Sequence, residues 1–326
     1  MLPPLAIVRR LHLHALAMSI PPPPVLFSIP GYEAFANLLA AKLGAEMGEV
    51  TRVRFPDGEL YQKIESRLAA RDAIVVGGTP DDASTLTLFD LSCALAKYGV
   101  RRLDLVVPYF GYSTMERASH PGEVVTAKTR ARLLSAVPAA PFGNRIWCVD
   151  LHSEGLPHYF EGHVVAHHLS AKSVLLPHIT ALGGPDLVLA STDAGRAKWV
   201  QGLAQELRCQ AAIITKRRMS GTDTQVTSVS CDVSGKNVVI YDDMVRTGGS
   251  LLAAARAYHD AGARQIDVVA THGVFPGEAF ARLRDSGLVR SVSCTNTHPN
   301  ASALAAAGLT VLDVSAVFAH AIAGGG

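Results

Sequence analysis

Two adjacent carboxylates, Asp242 and Asp243, end an apolar run. Thr247-Gly248-Gly249-Ser250 and a helical pattern follow them (VVIYDDMVRTGGS, Val238–Ser250). Val238–Tyr241 has the composition of a buried strand, and LLAAARAYHDAG that of a helix closed by Gly262, with Ser250 in position to cap it. Successive backbone N–H groups in a glycine turn, at the positive end of a helix dipole, make an anion pocket. A carboxylate touching the bound phosphate would repel it. It can instead accept hydrogen bonds from sugar hydroxyls attached to that phosphate, or hold a Mg²⁺ ion. The pattern therefore predicts a sugar-phosphate site.

The elements that must position this site recur along the chain. Short β-branched or apolar runs predict strands over 73–78, 103–110, 145–152, 186–191, 211–216, 237–243 and 266–273. Between them lie segments such as STLTLFDLSCALAKYG, with apolar residues three and four apart. The alternation predicts α/β units on parallel sheets, and it occurs twice. The expected organisation is a disordered tail over 1–24, with Met18 a plausible alternative start, and two similarly built domains over 25–163 and 164–326. The last helix is a candidate to pack back on the first domain. In open sheets of this kind ligands lie beyond the carboxyl ends of the strands.

Bulk composition narrows the function classes. With 326 residues, 48% of them apolar and 18% charged, the chain can bury two cores. A net charge of +2 is too balanced to argue for nucleic acid or an anionic membrane. No apolar run reaches the roughly 18–20 residues that a membrane helix needs. The five cysteines are far apart, with no C-x-x-C pair, which fits reduced thiols in a cytoplasmic protein. His163, His167 and His168 have ligand-like spacing, but no cysteine or carboxylate completes a tetrahedral set, so packed or solvated histidines are expected there.

The Asp242–Ser250 stretch resembles the phosphoribosyl-pyrophosphate loop of type I phosphoribosyltransferase-fold proteins. Alone, it does not separate transferases from the synthetase that makes their common substrate. Four further blocks do: RFPDGELYQKI (Arg54–Ile64), VVPYFGYSTMER (Val106–Arg117), CVDLHSEGLPHYF (Cys148–Phe160) and STDAGRAKWVQGLA (Ser191–Ala204). With ATHGVF and TNTH, they resemble the successive motifs of ribose-phosphate pyrophosphokinases (phosphoribosyl-pyrophosphate synthetases), in one register from about Val25 to Ile322.

The resemblance implies two tandem phosphoribosyltransferase-like α/β domains, each a mainly parallel sheet flanked by helices. It implies an enzyme that transfers the β,γ-pyrophosphoryl group of ATP to the C1 hydroxyl of ribose 5-phosphate, with Mg²⁺. Lys216 and Arg218 match cations on a mobile catalytic loop, and His152 and Asp193 match Mg²⁺-associated positions. Asp242, Asp243, Arg246, Thr247, Gly248, Gly249 and Ser250 match the ribose-5-phosphate loop. Phe55, Asp57, Gly58 and Glu59 match a nucleotide segment that reaches a neighbouring subunit's site, which implies a homo-oligomer.

Some positions depart from the pattern. Thr114 and Met115 stand where the family carries an arginine and a glutamine that contact ATP, and Arg246 replaces an aspartate. Basic positions of the phosphate- and ADP-sensing region become Ala118, His120, Pro121 and Gly122, so regulation of that kind is expected to be weak or absent. The alternatives to an active synthetase are a catalytically silent homologue that modulates one, and a phosphoribosyltransferase.

Overall fold

The computed structural model describes residues 22–220 and 223–325, with side chains throughout except at 216–227. Most of the tail expected over 1–24 lies outside the described residues.

Two six-stranded, all-parallel sheets dominate the chain. The first has the order β2-β1-β5-β6-β7-β8, formed by β1 (Val25–Ser28), β2 (Glu46–Met47), β5 (Asp72–Val76), β6 (Arg102–Val107), β7 (Asn144–Val149) and β8 (Val164–Leu169). Between its second and third strands the chain makes an antiparallel hairpin, β3 (Val50–Arg54) and β4 (Leu60–Ile64).

The second half repeats this plan. β9 (Leu187–Ala190), β10 (Gln210–Ala212), β13 (Asn237–Val245), β14 (Gln265–Gly273), β15 (Ser291–Thr295) and β16 (Thr310–Leu312) lie in the order β10-β9-β13-β14-β15-β16. Its antiparallel hairpin is β11 (Ile214–Ser220) and β12 (Asp223–Val229). The two hairpins thus occupy the same place in the two halves. β8 pairs with β7, so the first sheet continues past residue 163, where the junction was expected, as far as Leu169.

The central strands read as apolar runs because helices cover both faces. α1 (Glu33–Leu43), α2 (Asp82–Lys97) and α3 (Thr126–Ser135) serve the first sheet. α4 (Lys172–Gly183), α5 (Ala197–Leu207), α6 (Gly249–Asp260), α7 (Ala279–Arg284) and α8 (Pro299–Leu304) follow in the second half. Buried charges inside the sheets are paired in both halves. Asp104 on β6 takes Arg145 and the Trp147 indole, and Asp267 on β14 takes Arg290 and Ser291.

The halves are not independent bodies. One apolar core runs from Phe27 and Trp147 through Leu175 and Leu189 to Tyr241, Val269 and Phe318. The last helix, α9 (Ser315–Ala323), lies against α1, with the Phe318 ring edge-on to Phe35 at 5.6 Å.

Candidate functional site

Each sheet has a switch point where neighbouring strands run out in opposite directions along the sheet: β1/β5 in the first half and β9/β13 in the second. Ligands of open α/β sheets sit there. In the first half the place is filled, because the buried Tyr32 ring packs directly over Gly78, where there is no room for a Cβ. In the second half it opens into a cavity of about 770 Å³. Thr192, Asp193 and Arg196 beyond β9, Asp242 on β13 and the Thr247–Ser250 turn line it, and His152, Thr114 and Arg117 reach it from the first half.

The glycine turn is built for close approach. Gly248 is the N-cap of α6 with φ +78°, and a Cβ there would lie 3.2 Å from Leu283 Cδ1. The helix begins at Gly249, so Ser250 lies inside the first turn and does not cap it. No side chain caps the helix, so its first N–H groups are available to an anion. The Thr247 carbonyl accepts from Arg282 Nη2 at 3.1 Å, which pins the turn, and Arg246 is exposed at the cavity.

Asp242 and Asp243 differ sharply. Asp242 Oδ2 accepts from Thr192 Oγ1 at 3.1 Å, and Oδ1 accepts from the Asp243 N–H at 2.9 Å. Burial and the neighbouring Asp243 charge raise the Asp242 pKa. The Asp243 side chain is only 2% exposed. Its Oδ2 lies 2.7 Å from His152 Nδ1 and its Oδ1 2.6 Å from Arg196 Nη2. Burial pushes Asp243 up, but the His152 bond and the Arg196 charge outweigh it and hold the group below its usual range. Two adjacent acids in the sequence thus become one that faces the cavity and one whose oxygens serve its walls.

His152 is aimed by Asp150, two residues earlier. Asp150 has φ +40°, in the left-handed region, a strained state for a non-glycine residue that only strong anchoring maintains. Its Oδ2 accepts from Thr271 Oγ1 at 2.7 Å, its Oδ1 from the Ala171 N–H at 3.2 Å, and its carbonyl is 3.2 Å from His272 Nε2. His168 Nε2 accepts from the Leu151 N–H at 2.9 Å. The turn carrying His152 is therefore fastened to both sheets. Asp193 Oδ1 accepts from the Gly195 N–H at 2.9 Å, and its other oxygen meets no hydrogen bond among the described residues.

Thr114 lines the cavity, whereas Met115 beside it is 43% exposed. Phe55, Asp57, Gly58 and Glu59 form the tight turn of the β3–β4 hairpin. The Phe55 N–H donates to the Glu59 carbonyl, the Gly58 N–H to the Phe55 carbonyl, and Gly58 has φ +95°. They do not line the cavity of their own chain. Lys216 and Arg218 lie on β11, opposite Val226 and Thr224, and their side chains are outside the described residues. The β11 strand starts beside the Ala194–Arg196 turn, so the hairpin rises from the edge of the cavity.

Each of the three spaced histidines has its own partner. His163 Nε2 contacts the Val137 carbonyl at 2.8 Å, the His167 ring stacks on Trp147 at 4.0 Å, and His168 takes the Leu151 N–H.

Arg196, Thr192 and Thr271 belong to the site and were not singled out by the motif reading. For Arg196 there was a signal. A cation directly before a helix faces the positive end of the helix dipole and needs an acid from elsewhere in the fold.

Comparison with known proteins gives a consistent result. A family model for the N-terminal domain of ribose phosphate pyrophosphokinase matches residues 24–137, and one for the phosphoribosyl synthetase-associated domain matches 214–324. A ribose-phosphate pyrophosphokinase of Nostoc sp. is 34% identical over 277 residues, covering 84% of this chain and 82% of its own length. One from Synechococcus elongatus is 33% identical over 300 residues, covering 91% and 89%. The crystal structure of phosphoribosylpyrophosphate synthetase from Mycobacterium smegmatis superposes with a TM-score of 0.81 at 27% identity, over 93% of this chain and all of that one.

Proposed function

Because the chain belongs to the ribose-phosphate pyrophosphokinase family, we propose that its reaction takes place in the cavity between β9, β13 and the His152 turn. The enzyme moves the β,γ-pyrophosphoryl group of ATP to the C1 hydroxyl of ribose 5-phosphate, giving phosphoribosyl pyrophosphate and AMP. The C1 oxygen bonds to the β-phosphorus, and the bond from that phosphorus to the α,β-bridging oxygen breaks. AMP leaves with the bridging oxygen, and the hydroxyl proton passes to water.

One observation carries the assignment of the site. The uncapped N-terminus of α6, the exposed edge of Asp242, and the pair His152 and Asp193 share a single cavity. The 5-phosphate takes the N–H groups of the Thr247–Ser250 turn, with Arg246 adding positive charge. Ribose hydroxyls donate to Asp242, whose carboxylate is held by Thr192 and the Asp243 N–H. Lys216 and Arg218, on the hairpin that starts at the cavity edge, close over the transferring group. Reactions of this type are catalysed mainly by positioning and electrostatics, so no protein nucleophile is required.

No cluster of three or more acidic, histidine or cysteine side chains among the described residues forms a cage for a metal ion. The Asp193 oxygen that takes no hydrogen bond among the described residues, together with His152, would suit a Mg²⁺ carried in on the triphosphate. When bound, that ion screens the triphosphate charge and polarises the phosphorus under attack.

The β3–β4 hairpin supports a homo-oligomer with a composite nucleotide site. Val53, Phe55 and Tyr61 are each about 45% exposed on it, an apolar row suited to a second copy of the chain and to an adenine ring. Five unpaired cysteines, two of them buried, suit the reducing cytoplasm. No helix among the described residues is long and apolar enough to cross a membrane.

Phosphorus NMR of the full chain with ATP, ribose 5-phosphate and Mg²⁺ tests this reading. A 5-phosphoribosyl 1-diphosphate and AMP forming in equal amounts support it. ADP and a ribose bisphosphate, or no change, refute it.

A further inference from the structure

Arg196 stands at the junction of everything the reaction brings together. It follows Asp193 by three residues and immediately precedes α5, where the helix dipole opposes a cation. Something on other elements must offset that cost. Asp243 Oδ1 on β13 does so, 2.6 Å from its Nη2, while His152 Nδ1, from the other half of the molecule, bonds to Asp243 Oδ2 and only packs beside that nitrogen.

This anchor is not one that a sugar would displace. Asp243 is almost fully buried, and removing the guanidinium would leave its carboxylate without its main counter-ion. Arg196 therefore keeps its place when substrates enter. A guanidinium carries five N–H donors, and among the described residues only Nη2 finds a close partner. Nη1 reaches the His152 carbonyl at a long 3.5 Å, and Nε is 3.6 Å from Asp242 Oδ1, beyond hydrogen-bond length. The remaining donors belong to a side chain that is 19% exposed and lines the cavity.

We propose that Arg196 is a catalytic cation of the pyrophosphoryl transfer, held rigid by its ion pair with Asp243 and offering its remaining N–H groups to the triphosphate. The proposal rests on the reading that places ribose 5-phosphate on the α6 turn and Asp242. A sugar phosphate so seated directs its far end toward the wall formed by Asp193, Arg196 and His152, where the β-phosphorus must come. A planar, preorganised donor there stabilises charge developing on the bridging oxygen without any rearrangement. It also supplies fixed positive charge in a cavity where Thr114 offers none. On this account Asp243 is a positioning residue that acts through Arg196 and His152.

The rival is a purely structural role, in which Arg196 only neutralises buried Asp243. Arg196→Met and Arg196→Lys of the full chain separate the two. Steady-state AMP release gives kcat and KM, calorimetry gives the ribose 5-phosphate Kd without nucleotide, and thermal melting reports the fold. The catalytic role predicts a kcat loss of about 10²–10³-fold in Arg196→Met. The ribose 5-phosphate Kd should change by less than about threefold. Arg196→Lys, which keeps the charge but loses the planar fork, should melt near the wild type and still lose about tenfold in kcat or more. Full kcat in Arg196→Lys, or losses in both variants that follow Kd and melting temperature, overturn the proposal. If the wild type releases no AMP, the underlying reading of the site fails and takes the proposal with it. An active wild type with unimpaired variants overturns the proposal alone.

Discussion

Thr271 Oγ1 on β14 donates to Asp150 Oδ2 at 2.7 Å, joining the end of the first sheet to the middle of the second. Both residues are buried, and Asp150 is the strained residue that aims His152. The bond lies outside the cavity yet fixes one of its walls.

Thr271→Val removes this donor while keeping the side chain's shape. A buried carboxylate oxygen loses its partner, at a cost of about 1–3 kcal/mol. Chemical denaturation should report that loss. AMP release should show a lower kcat with little change in the KM for ribose 5-phosphate, because the turn that slackens carries His152 and not the α6 turn.

Gly248→Ala tests the phosphate turn. Gly248 combines φ +78° with a neighbour 3.2 Å from the position of a Cβ, so alanine is strained by about 1–2 kcal/mol and the turn must shift. The KM for ribose 5-phosphate should rise several-fold, with the KM for ATP nearly constant. Equal rises in both would place the 5-phosphate elsewhere.

Acid stability has an identifiable contributor. Burial first, and the neighbouring His272 second, push the His298 pKa down from 6.5 to about 4. A folded pKa below the unfolded one means that the native state binds fewer protons between those values. The contribution is complete above pH about 6.5 and is lost as pH falls toward about 4. His298→Asn keeps an acceptor for the Asn300 N–H and does not ionise. Its melting temperature should fall less steeply than that of the wild type over this window, and parallel slopes would contradict the assignment.

The last helix ties the chain's end to its beginning. Phe318 is fully buried and packs edge-on to Phe35, so Phe318→Ala should cost about 3–5 kcal/mol by cavity formation. If α9 serves only to hold the fold, the variant should keep wild-type KM values at temperatures where it remains native.

The sequence showed more of the second half than of the first. The buried runs of β6, β7, β13 and β14 were legible because their side chains are apolar on both faces. β8 was read as a junction because its two histidines mask a strand in which His167 behaves as an aromatic stacked on Trp147. β15, SVSCT, hides similarly: Ser293 meets His178, and Thr295 donates to the Thr271 carbonyl. The hairpin over 50–64 has one face open to solvent and no buried run to announce it.

At the site, the glycine turn and acid pair were visible as a local pattern. Local spacing could not show which acid faces the cavity, because that depends on Arg196 and His152, 47 and 91 residues away in the chain. The Asp150–Thr271 clasp spans 121 residues and leaves no local signature.

The most direct test of the central claim is AMP release by the wild type and by Asp242→Asn, with ATP and ribose 5-phosphate varied independently at ample Mg²⁺. The account predicts AMP only when both substrates are present. It also predicts a rise of about tenfold or more in the ribose 5-phosphate KM of Asp242→Asn, the equivalent of about 1.4 kcal/mol. AMP formed without the sugar phosphate, or an Asp242→Asn enzyme indistinguishable from the wild type, would contradict it.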